Sequence, residues 1–178
     1  MYKRQANYNI DLRFTKFILK NADIVLFNSH ENLELYKIRF PKLNNKFYYL
    51  NNIVEENKTE HTSNNKSENN GVVISRLTHN KGIDILIEAM NAIDDPSIKI
   101  DIYGVGKEYD SLCSQIINKN VVIIKEPVNI ENIWKNYNFF VLPSRKEGMS
   151  NVLLEAQYNN VFSIVSDCKT GSKEIIEM

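Results

Sequence analysis

From residue 72 onward, short apolar runs alternate with stretches of helical spacing, and few topologies accept that alternation. Val72–Ser75, Ile98–Tyr103, Val121–Ile124, Phe139–Leu142 and Ser163–Ser166 read as strands. Helical stretches lie between them at 83–92, 108–117, 130–137 and after Ser150. Strands joined by helices lie parallel in one sheet with helices on its faces, so a Rossmann-like, doubly wound α/β fold is predicted here. The chain has 178 residues, 43% of them hydrophobic, enough for a core of ordinary size.

The earlier residues form a second region. Ile10, Leu12, Phe14, Phe17, Ile18 and Leu19 are spaced for an amphipathic helix over 9–22, and Ile24–Phe27 reads as a short strand. Ser29 is a good N-cap for a helix through Leu33, Leu35 and Tyr36, and Phe47–Leu50 reads as another strand. Residues 55–70, EENKTEHTSNNKSENN, contain no apolar side chain. Such a stretch has no surface to bury against its ordering entropy, so it is expected to link a unit at 1–54 to one at 71–178. His61 lies in it without partners and reads as solvated.

Composition removes several function classes. Lys plus Arg and Asp plus Glu number 22 each, and no basic block interleaved with aromatics points to nucleic acid. The N-terminus lacks the apolar core of a signal peptide, and no run reaches the ~20 apolar residues of a membrane span. Cys113 and Cys168 form no CxxC pattern and read as free thiols, with a disulfide between them the alternative. These features are expected of a cytoplasmic protein.

The chemistry concentrates between Phe139 and Gln157, FFVLPSRKEGMSNVLLEAQ. A buried strand stops at Pro143-Ser144, a charged loop carries Arg145, Lys146 and Glu147, and Gly148 allows a sharp turn. Ser150 then stands as N-cap ahead of Val152, Leu153, Leu154 and Ala156. Free N–H groups and the helix dipole make such a helix start a place for an anion. Carboxylates at Glu147 and Glu155 suit a ligand that carries hydroxyls as well as phosphate, such as a sugar nucleotide. A second cationic loop, Arg76-Leu77-Thr78-His79-Asn80-Lys81-Gly82, follows the strand at 72–75, on the ligand side of an open parallel sheet. Arg with paired hydrogen bonds and Lys as a point charge would neutralise a diphosphate. The residues alone leave other readings open. Arg76, Lys81 and Glu147 also fit solvated loop charges, and Glu155 also fits a carboxylate favoured by the dipole.

The string E-G-M-S-N-V-L-L-E, with its P-S-R-x-E-G lead-in, resembles the E-x7-E signature of the retaining, GT-B-fold glycosyltransferases of family 4. Arg76 to Gly82 resembles that family's G-R-L-x-x-x-K-G segment, with Ser75 in place of the usual Gly. Asp167 to Ile175 resembles its S-D-x-x-x-G-x-x-E-I segment. Asn160-Val161-Phe162 stands where relatives carry Gly-x-Pro, and Asn tolerates the left-handed backbone that Gly would supply.

The resemblance implies a metal-free glycosyltransferase acting with retention, its donor a nucleotide diphosphate sugar, a UDP-sugar by analogy. Arg76 and Lys81 would hold the leaving diphosphate, and Glu147 would contact the donor sugar and its developing positive charge. Glu155 would accept hydrogen bonds from the ribose, with Gly148, Met149, Ser150 and Asn151 at the anion-binding helix start. Gly104 and Gly106 either let the backbone approach the nucleotide or serve a tight turn, and Val128 falls in the base-contacting loop. The acceptor would be a glycan or a lipid-linked glycan in cell-surface polysaccharide assembly. Residues 1–54 would be the end of an acceptor-side domain and 71–178 a donor domain incomplete at its C-terminus. The alternative is a nucleotide-sugar-binding domain that needs a separate acceptor-domain chain. Peripheral attachment at the inner face of the plasma membrane is compatible with either.

Overall fold

The computed structural model describes residues 12–53, 69–127, 129–168 and 171–176. They fall into two compact units, Met1–Asn51 and Asn52–Met178. Among the described residues no helix is long and apolar enough to cross a membrane.

The first unit runs α1 (Leu12–Asn21), β1 (Val25–Phe27), α2 (His30–Arg39), a 3-10 turn (Pro41–Lys46) and β2 (Phe47–Tyr49). The two strands are parallel, Val25 opposite Phe47 and Phe27 opposite Tyr49, because α2 carries the chain back across the pair. Ser29 is fully buried and caps α2, its hydroxyl accepting from the Asn32 amide at 3.3 Å. Lys46 Nζ donates to the carbonyls of Lys20 and Ala22 at 2.8 and 2.7 Å, satisfying oxygens that the end of α1 leaves free. Leu19, Leu33 and Phe47 form the core with Val25, Phe27 and Tyr36.

The second unit alternates as its apolar runs require: β3 (Asn69–Ile74), α3 (Ile83–Asn91), β4 (Ile98–Tyr103), α4 (Tyr109–Gln115), β5 (Val121–Ile124), α5 (Ile130–Ile133), β6 (Phe139–Leu142), α6 (Asn151–Tyr158), β7 (Phe162–Val165) and α7 (Ser172–Ile176). All five strands are parallel, in the order β5-β4-β3-β6-β7. Successive residues of a strand face opposite sides, so Val72 and Phe140 enter one core with Trp134, Leu153 and Ala156. Val73 and Val141 enter another with Ile87, Ile100, Ile102 and Leu112. A parallel sheet covered on both faces is why its strands read as continuous apolar runs.

Three local features differ from or sharpen the sequence reading. β3 begins at Asn69, two residues inside the polar stretch assigned to the linker. The ladder recruits them: the Asn69 amide donates to Ser97 O at 3.2 Å, and Asn70 exchanges bonds with Asn138 at 2.8 and 3.1 Å. The helix expected over 130–137 is one α-turn followed by a 3-10 turn, Trp134–Asn136, which drops the buried Trp134 edge-on against Phe140. Asn160 adopts φ 52°, the left-handed turn expected of it. Both cysteines are free.

Candidate functional site

The order β5-β4-β3-β6-β7 reverses direction between β3 and β6, and ligands of open α/β sheets bind outside the carboxyl ends of the strands at such a point. The loops leaving those two ends, 75–82 and 143–150, are docked on one another. Gly82 makes the approach possible: it sits at φ +64°, and a Cβ there would stand 2.0 Å from the Pro143 carbonyl oxygen. The Arg145 amide donates to Asn80 O at 2.8 Å.

Two charge pairs span the docked loops. Lys81 Nζ lies 2.6 Å from Glu147 Oε1, which also accepts from the Ser144 hydroxyl at 2.6 Å. The Glu147 side chain is only 8% exposed, so these donors offset the desolvation of its charge. Arg145 bonds both oxygens of Asp84 at 2.6 Å and donates to His79 O at 2.8 Å. The hydrogen bonds within this pair hold the Asp84 carboxyl below its ordinary range and push the Arg145 guanidinium further up.

Helix α6 supplies the third side. Its N-cap Ser150 accepts from the Leu153 amide at 3.4 Å and is buried. One and a half turns in, Glu155 is half-buried, and its Oε2 is buried with no hydrogen-bond partner among the described residues. That burial raises the carboxyl above its ordinary value. A carboxylate oxygen held out of water without a donor is costly in the fold and well suited to a ligand hydroxyl.

The other residues expected at the site divide into two groups. Arg76 is exposed on the first loop, with no side-chain partner among the described residues. Asn151 opens α6 and accepts from the Asn52 side-chain amide. Gly148 lies exposed at a bend without a positive φ. The close approach there belongs to Gly171, at φ +72°, where a Cβ would fall 1.3 Å from the Gly148 oxygen. Met149 is 8% exposed with its side chain in the hydrophobic core, so it offers a ligand no more than its backbone. The space kept clear by Gly104 and Gly106 is filled by the chain itself: added Cβ atoms would meet Ser75 O at 2.0 Å and Leu77 O at 2.2 Å. Neither has a positive φ, so glycine is required at both by the close approach of the 75–77 backbone. Val128 lies outside the described residues.

Sequence reasoning did not single out Asp84, Arg145 or Ser144, although each touches the Lys81 or Glu147 loop. Arg145 and Asp84 are 61 residues apart and carry no spacing signal. Two shallow hollows of about 330 and 370 Å³ lie beside Asn91 and Ile117, the larger of them also lined by Asp84.

Known proteins of one family resemble this chain in sequence and fold. The model of the family "Glycosyl transferases group 1" matches residues 54–178. The uncharacterized glycosyltransferase MJ1059 of Methanocaldococcus jannaschii is 31% identical over 98% of this chain and 47% of that protein. CapH of Staphylococcus aureus, a capsular polysaccharide biosynthesis glycosyltransferase, is 28% identical over 82% of this chain and 42% of its own length. The chain thus spans less than half the length of these relatives. Among solved structures, Anabaena HepE in complex with UDP and glucose superposes with a TM-score of 0.73 at 19% identity, covering 89% of this chain and 48% of that one. The fold is that of the GT-B glycosyltransferases. With the family model matched across residues 54–178, well over half of its length, the chain belongs to the Glycosyl transferases group 1 family.

Proposed function

We propose that the second unit is the donor-binding part of a retaining, family-4 glycosyltransferase that uses a nucleotide diphosphate sugar, a UDP-sugar. The observation that carries this is the joining of Lys81 and Glu147 across the β3/β6 reversal, with a partnerless Glu155 oxygen on α6, the helix that follows the Glu147 loop. Lys81 keeps N–H donors beyond the one given to Glu147 and turns them to the leaving diphosphate. Its charge is already balanced by Glu147, so Arg76 supplies the uncompensated positive charge, helped by the N-terminus of α6. As the glycosidic bond breaks, these groups stabilise the departing diphosphate, and the Glu147 carboxylate faces the positive charge growing at the anomeric carbon. Glu155 accepts from the ribose hydroxyls. The acceptor is a glycan or lipid-linked glycan in surface polysaccharide assembly, in keeping with the part of CapH in capsular polysaccharide biosynthesis.

Calorimetric titration with UDP and GDP tests the reading. UDP should bind more tightly than GDP, and Lys81→Ala and Glu155→Ala should each weaken UDP about tenfold, the scale of one lost charged hydrogen bond. A folded sample that binds neither nucleotide would refute the donor site. Retention is checked separately, by the anomeric coupling constant of the product in proton NMR.

A further inference from the structure

We propose that Arg145 and Asp84 are positioning residues that set the register between the Lys81 loop and the Glu147 loop, and so hold the cation and carboxylate of the donor site together. The inference rests on the donor-site reading above and adds the device that aligns it. The charges pair crosswise between the two segments: Lys81 of the first loop with Glu147 of the second, and Arg145 of the second with Asp84, in the first turn of α3 just past the first loop. Sliding one loop along the other would bring Lys81 toward Arg145 and Asp84 toward Glu147, like charge on like, so the charge order disfavours the wrong register as well as favouring the right one.

The Arg145 fork is better placed to fix geometry than the Lys81 contact is. A guanidinium bonded to both carboxylate oxygens is constrained in orientation as well as distance, whereas an ammonium on a four-carbon stem is a swivelling point charge. Arg145 also grips the backbone of the Lys81 loop twice, through its own amide to Asn80 O and through Nη1 to His79 O, both at 2.8 Å. Those two acceptors sit immediately before Lys81 in the chain, and Asp84 sits three residues after it, in the first turn of α3 where the helix dipole favours its charge. Lys81 is therefore held from both sides by one residue that lies two positions before Glu147. At 29% and 33% side-chain exposure the pair contributes modestly to stability, as partly solvated ion pairs do. Its bonds are aimed at the loop carrying the site.

The test uses the full chain, with UDP as the probe and the melting temperature followed in parallel. Arg145→Gln and Asp84→Asn should each weaken UDP binding about tenfold, as loss of charged hydrogen bonds does. In a Lys81→Ala background the same changes should cost less than about twofold, because residues acting through one another are non-additive. A purely structural role would give additive losses in both backgrounds, and that result, or wild-type affinity in either single variant, would overturn the proposal. Hydrogen exchange without ligand gives a second readout. The amide of residue 145 should exchange about tenfold faster in Asp84→Asn, consistent with local opening of the docked loops. Unchanged exchange there would overturn the register role. If the folded wild type binds no UDP, the donor-site reading fails by itself, and the exchange result still decides whether Arg145 and Asp84 align the loops.

Discussion

Replacing Gly82 by alanine tests the docking of the two site loops at its narrowest point. Two costs combine there. An L-residue at φ +64° gives up about 1–2 kcal/mol against its preferred backbone. The new Cβ would also stand 2.0 Å from Pro143 O, where ordinary contact begins near 3.4 Å, so the carbonyl must retreat by about 1.4 Å. That carbonyl lies two residues before Arg145, and moving it strains the Arg145–Asn80 backbone bond, a loss of about 1 kcal/mol. The sum is roughly 2–3 kcal/mol, or roughly 4–12 °C in melting temperature for a chain of this length. Trp134 is the single tryptophan of the chain and lies buried in the second unit, so its fluorescence follows that unit's unfolding. Gly82→Asn separates the two costs, because Asn accepts the left-handed backbone but still brings a Cβ. It should lose about half as much stability as Gly82→Ala, and both variants should lose UDP affinity as Lys81 and Glu147 are pushed apart. An alanine variant that melts within about 1 °C of wild type and binds UDP equally well would show that the loops are not docked in this way.

The remaining predictions concern the two carboxylates whose environments push them in opposite directions. Glu155 has a folded pKa raised by burial, so its ionisation costs stability as pH rises above 4.5 through the raised value. Glu155→Gln should therefore raise the melting temperature at neutral pH by about 1–3 °C, do nothing below pH 4.5, and weaken UDP binding; a destabilised variant would contradict the partnerless oxygen. Asp84 has its folded pKa lowered by Arg145, so its contribution is complete above its unfolded value of 3.8 and is lost as pH falls through the lower folded one. The difference in melting temperature between wild type and Asp84→Asn should stay flat from neutral pH to about 5 and shrink only below about 4, and a loss near neutral pH would refute the assignment.

Much of the fold was legible because a sheet covered on both faces leaves little choice of residue. Phe139–Leu142 is apolar throughout since Phe140 and Val141 enter opposite cores, and Ile98–Tyr103 alternates because Ile100 and Ile102 enter one core while Lys99, Asp101 and Tyr103 share the half-buried opposite face. Ends were less legible where a partner, not the segment's own composition, sets them. Asn69 and Asn70 look like linker and become strand because Ser97 and Asn138 offer bonds. The site divides the same way. Lys81, Glu147 and Glu155 stand out through motif spacing, and Ser150 and Asn160 through local backbone chemistry. Met149 was grouped with the ligand side by its place in the motif, yet its apolar side chain follows the hydrophobic core. Arg145 and Asp84 are ordinary charges in sequence, and only folding reveals them as partners.

The two charge pairs also differ in how readily a ligand could open them, and this bears on how the site works. Separating Arg145 from Asp84 breaks two bonds between the side chains and disturbs the Arg145 contact with His79 O. Turning Lys81 away from Glu147 breaks one contact, and the Ser144 hydroxyl still donates to the same Glu147 oxygen. The Ser144 backbone is in turn anchored, its carbonyl accepting from Ser166 Oγ. In the donor site proposed above, a diphosphate would draw the ammonium toward itself while the carboxylate stays where Ser144 holds it. Bringing a phosphate close to so buried a carboxylate without its cation would be repulsive. In that proposal Lys81 would lie between the two anions, where the same cation would screen one from the other and bind both. A rigid clamp beside a more mobile pair would let the loops keep their register while the charged group facing the ligand takes a second partner.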